Sequence, residues 1–197
     1  MAVIGITGGI GTGKTTLRGM LARLLGAAVF DADVCAKDLL DSDPDVREGV
    51  QSSLGPDSYR ADGKAERAVI RRRIFSDPAA KTALEAILHP RVRSAWRLLA
   101  LDPRFKTGCL LIDIPLLFET RADEILHPVI TVACSDETQL QRLADRGLDP
   151  EIATRIMASQ MPQHEKIARA QFVVWNDGSL AALEAQAALL AARIRTL

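Results

Sequence analysis

Short apolar runs that end in glycine or aspartate alternate along this chain with longer stretches in which apolar residues recur every three or four positions. Residues 2–7 form a β-branched run closed by glycines, which predicts a buried strand. Over residues 14–25, Leu17, Met20, Leu21, Leu24 and Leu25 keep helical spacing, and Gly26 stops the helix. Val29 and Phe30 make a second, brief strand before Asp31 and Asp33. From 41 to 106 the period is helical and is broken at Asp43-Pro44, Gly55-Pro56, Asp62-Gly63 and Asp77-Pro78, which predicts a helical insertion with loops. Residues 109–112 and 129–133 are continuous apolar runs of the kind found in fully buried parallel strands. Helices are predicted over 138–146 and 151–160, and a last strand over 172–175. Leu180, Leu183, Ala187, Leu190, Ile194 and Leu197 then predict a closing amphipathic helix on the sheet. Strands alternating with helices give an α/β fold class: an open, mostly parallel sheet flanked by helices.

Composition adds exclusions. With 197 residues, 48% apolar and 25% charged, the chain is neither disordered, collagenous nor membrane-spanning, and its length suits one domain with an insertion. Its 25 basic and 25 acidic residues create no global field toward nucleic acid or anionic membrane, so neither is an expected partner. The charge is uneven: residues 31–58 hold eight acids and two bases, residues 60–106 twelve bases and five acids. Such a pairing suits a pocket for an anionic ligand, although a solvated surface is the commoner reason for such runs. Cys35, Cys109 and Cys134 are sparse and show no C-x-x-C spacing, and the start MAVIGITGG has no basic lead or cleavage-like site, so a reducing, cytoplasmic location is expected. His89, His127 and His164 have no metal-ligand spacing, so zinc is not expected.

The strongest chemical signal is Gly8-Gly9-Ile10-Gly11-Thr12-Gly13-Lys14-Thr15, which satisfies G-x-x-x-x-G-K-[ST] between a predicted strand and a predicted helix. Glycines there let several N–H groups converge on one phosphate at the positive end of the helix dipole. Gly9, Ile10, Gly11, Thr12, Gly13, Lys14, Thr15 and Thr16 are therefore the expected nucleotide-phosphate loop, with Lys14 on the β and γ phosphates and Thr15 on Mg²⁺, a loop that kinases, NTPase motors and GTPase switches share. No guanine-reading N-K-x-D accompanies it. Asp31-Ala32-Asp33 follows the second strand, where ligands bind in open α/β sheets. In an extended segment those two carboxylates point the same way, one to orient or deprotonate a hydroxyl and the other to bind substrate or metal-bound water. Spacing equally allows Asp33 to be a helix cap. Asp113 ends an apolar run and could reach Mg²⁺ through water, as any strand-end Asp could; Glu119 could equally open a surface helix. Arg142 and Arg146, one helical turn apart, suit a nucleotide's phosphates or plain solvent exposure.

With these residues placed, the chain resembles the dephospho-coenzyme A kinase family from Ile4 to about Leu183. The matching stretches are residues 6–15, the Asp31-Ala32-Asp33 triplet, Arg67, Leu84-Glu85 with His89-Pro90, Pro115-Leu116-Leu117-Phe118-Glu119, Gln139 with Arg142 and Arg146, Arg155 with Gln160, and Asn176-Asp177-Gly178. Pro115-Leu116-Leu117-Phe118-Glu119 together with the triplet is much more specific than the phosphate loop. The resemblance implies a P-loop kinase fold with a core over about 1–33, 107–135 and 171–197, a helical acceptor-binding insertion over about 34–106 and a lid over about 136–170. It implies transfer of the γ phosphoryl of ATP, with Mg²⁺, to the ribose 3′-hydroxyl of dephospho-coenzyme A. Asp33 then matches the presumed general base, acting with Lys14 and Arg142. Asp31, Arg67, His89, Leu116, Phe118 and Glu119 match the acceptor side, and Arg142, Arg146, Asn176 and Gly178 the nucleotide side. The chain departs from the family pattern at Gln171, at Trp175 and at Thr120-Arg121. A nucleoside or nucleotide kinase and a non-catalytic nucleotide sensor are the competing readings of the same loop.

Overall fold

The structure is a computed structural model that describes residues 2–106 and 108–197. The chain divides into two compact units, one built from Ala100–Leu197 with the chain up to Asp31, the other from Ala32–Leu99.

The first unit begins with β1 (Ala2–Gly8), α1 (Lys14–Leu25) and β2 (Ala28–Asp31). The second unit carries α2 (Ala32–Ser42), α3 (Pro44–Leu54), α4 (Arg67–Ser76) and α5 (Pro78–Ala100), the last running on through Pro90 to end at the unit boundary. The chain then returns with β3 (Cys109–Asp113), β4 (Val129–Ala133), α6 (Asp136–Ala144), α7 (Pro150–Ala158), α8 (Gln163–Arg169), β5 (Phe172–Trp175) and α9 (Leu180–Ile194).

Among the described residues the five strands form one sheet in the order β2-β3-β1-β4-β5, and every pairing is parallel. Parallel strands must be covered on both faces, which is why Leu110, Leu111, Ile112, Val129, Ile130 and Val132 are all fully buried. On one face Leu17, Met20 and Leu21 of α1 and Leu183, Ala187, Leu190 and Ile194 of α9 pack against Ile4, Ile6, Leu111 and Ile130. Leu180 and Leu197, part of the expected closing stripe, are instead exposed beyond that contact. β1 lies between β3 and β4, so the loop after it leaves the sheet where the strand order reverses, the place open α/β sheets use for ligands.

In the second unit Val46, Val50 and Leu54 of α3, Ile70 of α4 and Ala80, Leu84 and Leu88 of α5 close around Tyr59 as a separate core. Asp43 caps α3 by accepting from the N–H groups of Asp45 and Val46, with Pro44 in the first turn, so the break expected at Asp43-Pro44 is a helix start. No helix among the described residues is long and apolar enough to cross a membrane.

Candidate active site

The loop from Gly8 to Thr15 joins β1 to α1 with Gly11 at φ 80° and Gly13 at φ 94°. Gly13 is constrained twice, because a Cβ there would also run into the Asn176 Nδ2. Thr12 is fully buried and its hydroxyl donates to the Gly9 carbonyl at 2.8 Å, which pins the loop from within. No side chain caps α1 and no acid lies in its first turn, so the N–H groups of Gly13, Lys14 and Thr15 have no partner among the described residues. Unpaired N–H groups at the start of a helix of this length make an anion cradle.

Charged side chains converge beside that cradle. The register of β2 on β3 places Asp31 opposite Asp113, at the carboxyl ends of adjacent strands. Asp113 is 2% exposed; its Oδ1 accepts from the Lys14 ammonium and its Oδ2 from Arg18 Nη1 at 2.8 Å. The same Arg18 nitrogen also donates to Asp31 Oδ2. Burial pulls the Arg18 pKa down, but the bond to Asp31 and the charges of Asp113 and Asp31 outweigh it and hold the guanidinium above its ordinary value. Arg18 carries no role in the sequence reading, although it sits four residues from Lys14 and so on the same helix face.

The residues expected on the nucleotide side meet around one open pocket of about 380 Å³, lined among others by Gly13, Thr16, Arg142, Arg146, Asn176 and Gly178. Asn176 donates from Nδ2 to the Thr12 carbonyl at 2.8 Å, and its own carbonyl accepts from Arg142 Nη2 at 2.8 Å. Arg142 Nη1 also donates to the Thr12 carbonyl at 3.3 Å, so the end of β5, α6 and the phosphate loop are tied together. Arg142 and Arg146 do not lie one turn apart on a single helix as expected: α6 ends at Ala144, and Arg146 lies in the turn that follows, closed by Gly147 at φ 77°. Both still line the same pocket.

The loop apex is held from the segment expected to form the lid. Gln139 Nε2 donates to the Ile10 carbonyl, and Gln160 Oε1 accepts from the Ile10 N–H at 3.0 Å. Gln163 Nε2 in turn donates to Gln139 Oε1 at 3.0 Å.

Asp31 and Asp33 do not lie in one extended segment. Asp31 is the last residue of β2, and the chain is already helical at Ala32, so Asp33 falls in the first turn of α2. The capping alternative fails for the same reason; an exposed carboxylate in a first turn instead benefits from the helix dipole. Arg67 and His89 belong to the second unit, Arg67 donating to Asp41 Oδ2 at 2.6 Å and His89 standing exposed on α5.

Pro115-Leu116-Leu117-Phe118-Glu119 forms turns rather than a surface helix start. Leu116 is half-buried, while Phe118 is 1% exposed beneath the Arg169 guanidinium, 4.7 Å from its ring centroid. Glu119 Oε1 accepts from the Met161 N–H and from the Lys166 ammonium, each at 2.9 Å, and Lys166 is fully buried. Glu119 Oε2 is buried without a partner among the described residues. Nothing local in the sequence marks Lys166, which finds its acid 47 positions away only through the fold. Glu119→Gln takes the counter-charge from that buried ammonium, which keeps its bond to the Pro115 carbonyl at 3.3 Å, so a loss of about 3 kcal/mol in urea unfolding is expected. Lys166→Met leaves the Glu119 carboxylate without that cation, so a loss of comparable size is expected.

Comparison with known proteins agrees along almost the whole chain. The family model for dephospho-CoA kinase matches residues 2–182. The dephospho-CoA kinase of Chlorobaculum tepidum is 38% identical over 189 residues, covering 93% of this chain and 90% of that protein. A Thermus thermophilus crystal structure superposes with a TM-score of 0.80 at 34% identity, covering 100% of this chain and 97% of the other. The dephospho-CoA kinase of Campylobacter jejuni superposes with a TM-score of 0.76 at 26% identity, over 98% and 97% of the two chains. The anion cradle, the strand-end carboxylates and these matches place the chain in the dephospho-CoA kinase family.

Proposed function

We propose that this chain transfers the γ-phosphoryl group of ATP to the ribose 3′-hydroxyl of dephospho-CoA, giving CoA and ADP. The observation that carries the reading is the family match over residues 2–182, which takes in the phosphate loop, the Asp31-Ala32-Asp33 triplet and Glu119 together.

The N–H groups of Gly13, Lys14 and Thr15 hold the phosphates, and the Lys14 ammonium leaves Asp113 to follow charge onto the transferring group. Arg142 and Arg146 supply guanidinium charge from the pocket that Asn176 and Gly178 also line. The donor set fits Mg²⁺, since the Thr15 hydroxyl, and Asp113 through water, offer hard oxygens beside the cradle; bound Mg²⁺ would neutralise phosphate charge. On the acceptor side Asp33 accepts the proton of the 3′-hydroxyl as its oxygen bonds to the γ phosphorus and the bond to the β,γ-bridging oxygen breaks. The resemblance assigns acceptor-side roles to Asp31, Leu116, Phe118 and Glu119 of the first unit and, separately, to Arg67 and His89 of the second.

The test is ADP release with a panel of acceptors: dephospho-CoA, nucleosides, nucleoside monophosphates and none. Release that depends on dephospho-CoA is expected. Release driven by a nucleoside or nucleotide would make the chain a kinase of another acceptor, and nucleotide binding without release would make it a sensor.

A further inference from the structure

The four charges beside the phosphate loop balance: Lys14 and Arg18 against Asp31 and Asp113. Their arrangement is less even than their count. Asp31 and Asp113 are neighbours across adjacent parallel strands and repel each other. Among the described residues Lys14 meets Asp113 alone, whereas a single nitrogen of Arg18 meets both. When an anionic phosphate enters the cradle it competes with Asp113 for the Lys14 ammonium. Arg18 then remains as the cation shared by two carboxylates, one of them almost wholly buried. Leaving such a charge without a partner is costly, so the ease with which Lys14 departs depends on what stays behind.

We propose that Arg18 is a positioning residue with two effects: it neutralises Asp113 so that Lys14 can move onto nucleotide phosphate, and it fixes the Asp31 carboxylate at the end of β2 for the acceptor. The second effect rests on the function proposed above; the first requires only that the loop bind a nucleotide. A guanidinium suits the task because the two N–H bonds of its Nη1 are fixed in the guanidinium plane, one available to each carboxylate, and its charge is permanent, whereas an ammonium is a freely rotating point charge.

Titration calorimetry with Mg²⁺ and β,γ-imido-ATP tests the first effect without any acceptor. Arg18→Ala removes the positive charge shared by two carboxylates, so Asp113 holds Lys14 more firmly and the two acids repel the triphosphate; affinity is expected to fall about tenfold. Arg18→Lys keeps the charge and should stay within about threefold of the unaltered chain. Arg18→Ala combined with Asp31→Asn restores the balance, and affinity should return to within about threefold. A residue that merely braced the fold would show no such recovery. For the second effect, Arg18→Lys is expected to raise KM for dephospho-CoA more than it lowers kcat, because a freely rotating ammonium fixes the direction of the Asp31 carboxylate less well than a planar guanidinium does.

Circular dichroism establishes folding, and if Arg18→Ala does not fold, Arg18→Gln, which keeps a donor and loses the charge, should show the tenfold loss in its place. Unchanged nucleotide affinity in the uncharged variant, or a double variant that binds no better than the single one, would overturn the proposal. A chain that phosphorylates no dephospho-CoA would overturn the proposed function and still leave the nucleotide titration to decide the role of Arg18.

Discussion

Lys14→Ala is expected to lower turnover at least about a hundredfold, or about 2.7 kcal/mol of transition-state stabilisation. The substitution removes the mobile positive charge while leaving the N–H groups of Gly13, Lys14 and Thr15, which belong to the backbone, in place. Those groups still bind phosphate, so nucleotide affinity should weaken less than turnover, the signature of an interaction that strengthens in the transition state. Stability should change little. Asp113 loses one of its two cations but keeps Arg18, and the uncompensated buried carboxylate that makes such losses severe does not arise. Steady-state kinetics and a thermal melt check both halves. Near-normal turnover would remove Lys14 from the chemistry.

Asp33→Asn is expected to lower turnover by about 10²- to 10⁴-fold, the usual range for a general base, with ATP affinity nearly unchanged. Asparagine keeps the shape and a hydrogen bond and loses the charge and the proton acceptor. Because Asp33 is in the first turn of α2, its charge also favours the helix dipole, but at an exposed position that contributes only about 0.3–1 kcal/mol. A kinetic loss equivalent to about 2.7–5.5 kcal/mol cannot come from that source. Asp31→Asn should act more on KM for the acceptor than on turnover at saturation. The reverse pattern would exchange the two roles, and two mild variants would move the base elsewhere, with Asp113 the next candidate.

What the sequence made legible is what is contiguous. The β-branched runs of the sheet, the glycine-lysine-threonine loop and the apolar stripe of α9 each need only neighbours a few positions away to be recognised. The short α8 was not legible, since seven residues with one fully buried lysine carry too little periodicity. The separation of Asp31 from Asp33 was missed because alternation along a strand says nothing about where the strand stops, and here it stops between them. The remaining parts of the site rest on long-range partners. Arg18 acquires its meaning from the pairing of β2 with β3, and Gln139 and Gln160 theirs from reaching Ile10.

Two departures from the family pattern also become intelligible. The Gln171 side chain accepts from the Val129 N–H at 2.8 Å and so secures the start of β5 against β4. Trp175 donates from Nε1 to Asp177 at 3.0 Å and lines a pocket of about 580 Å³ with Gly9 and Gln160. That is a different pocket from the one holding Arg142, Arg146, Asn176 and Gly178.

The most direct test of the account is to locate the phosphoryl group in the product. The purified chain is incubated with ATP, Mg²⁺ and dephospho-CoA, and the isolated product is examined by phosphorus–proton correlation NMR. The account predicts one new phosphomonoester coupled to the ribose 3′ proton, formed in a one-to-one ratio with ADP. A phosphoryl group on any other oxygen, or ADP formed without a phosphorylated acceptor, would contradict it.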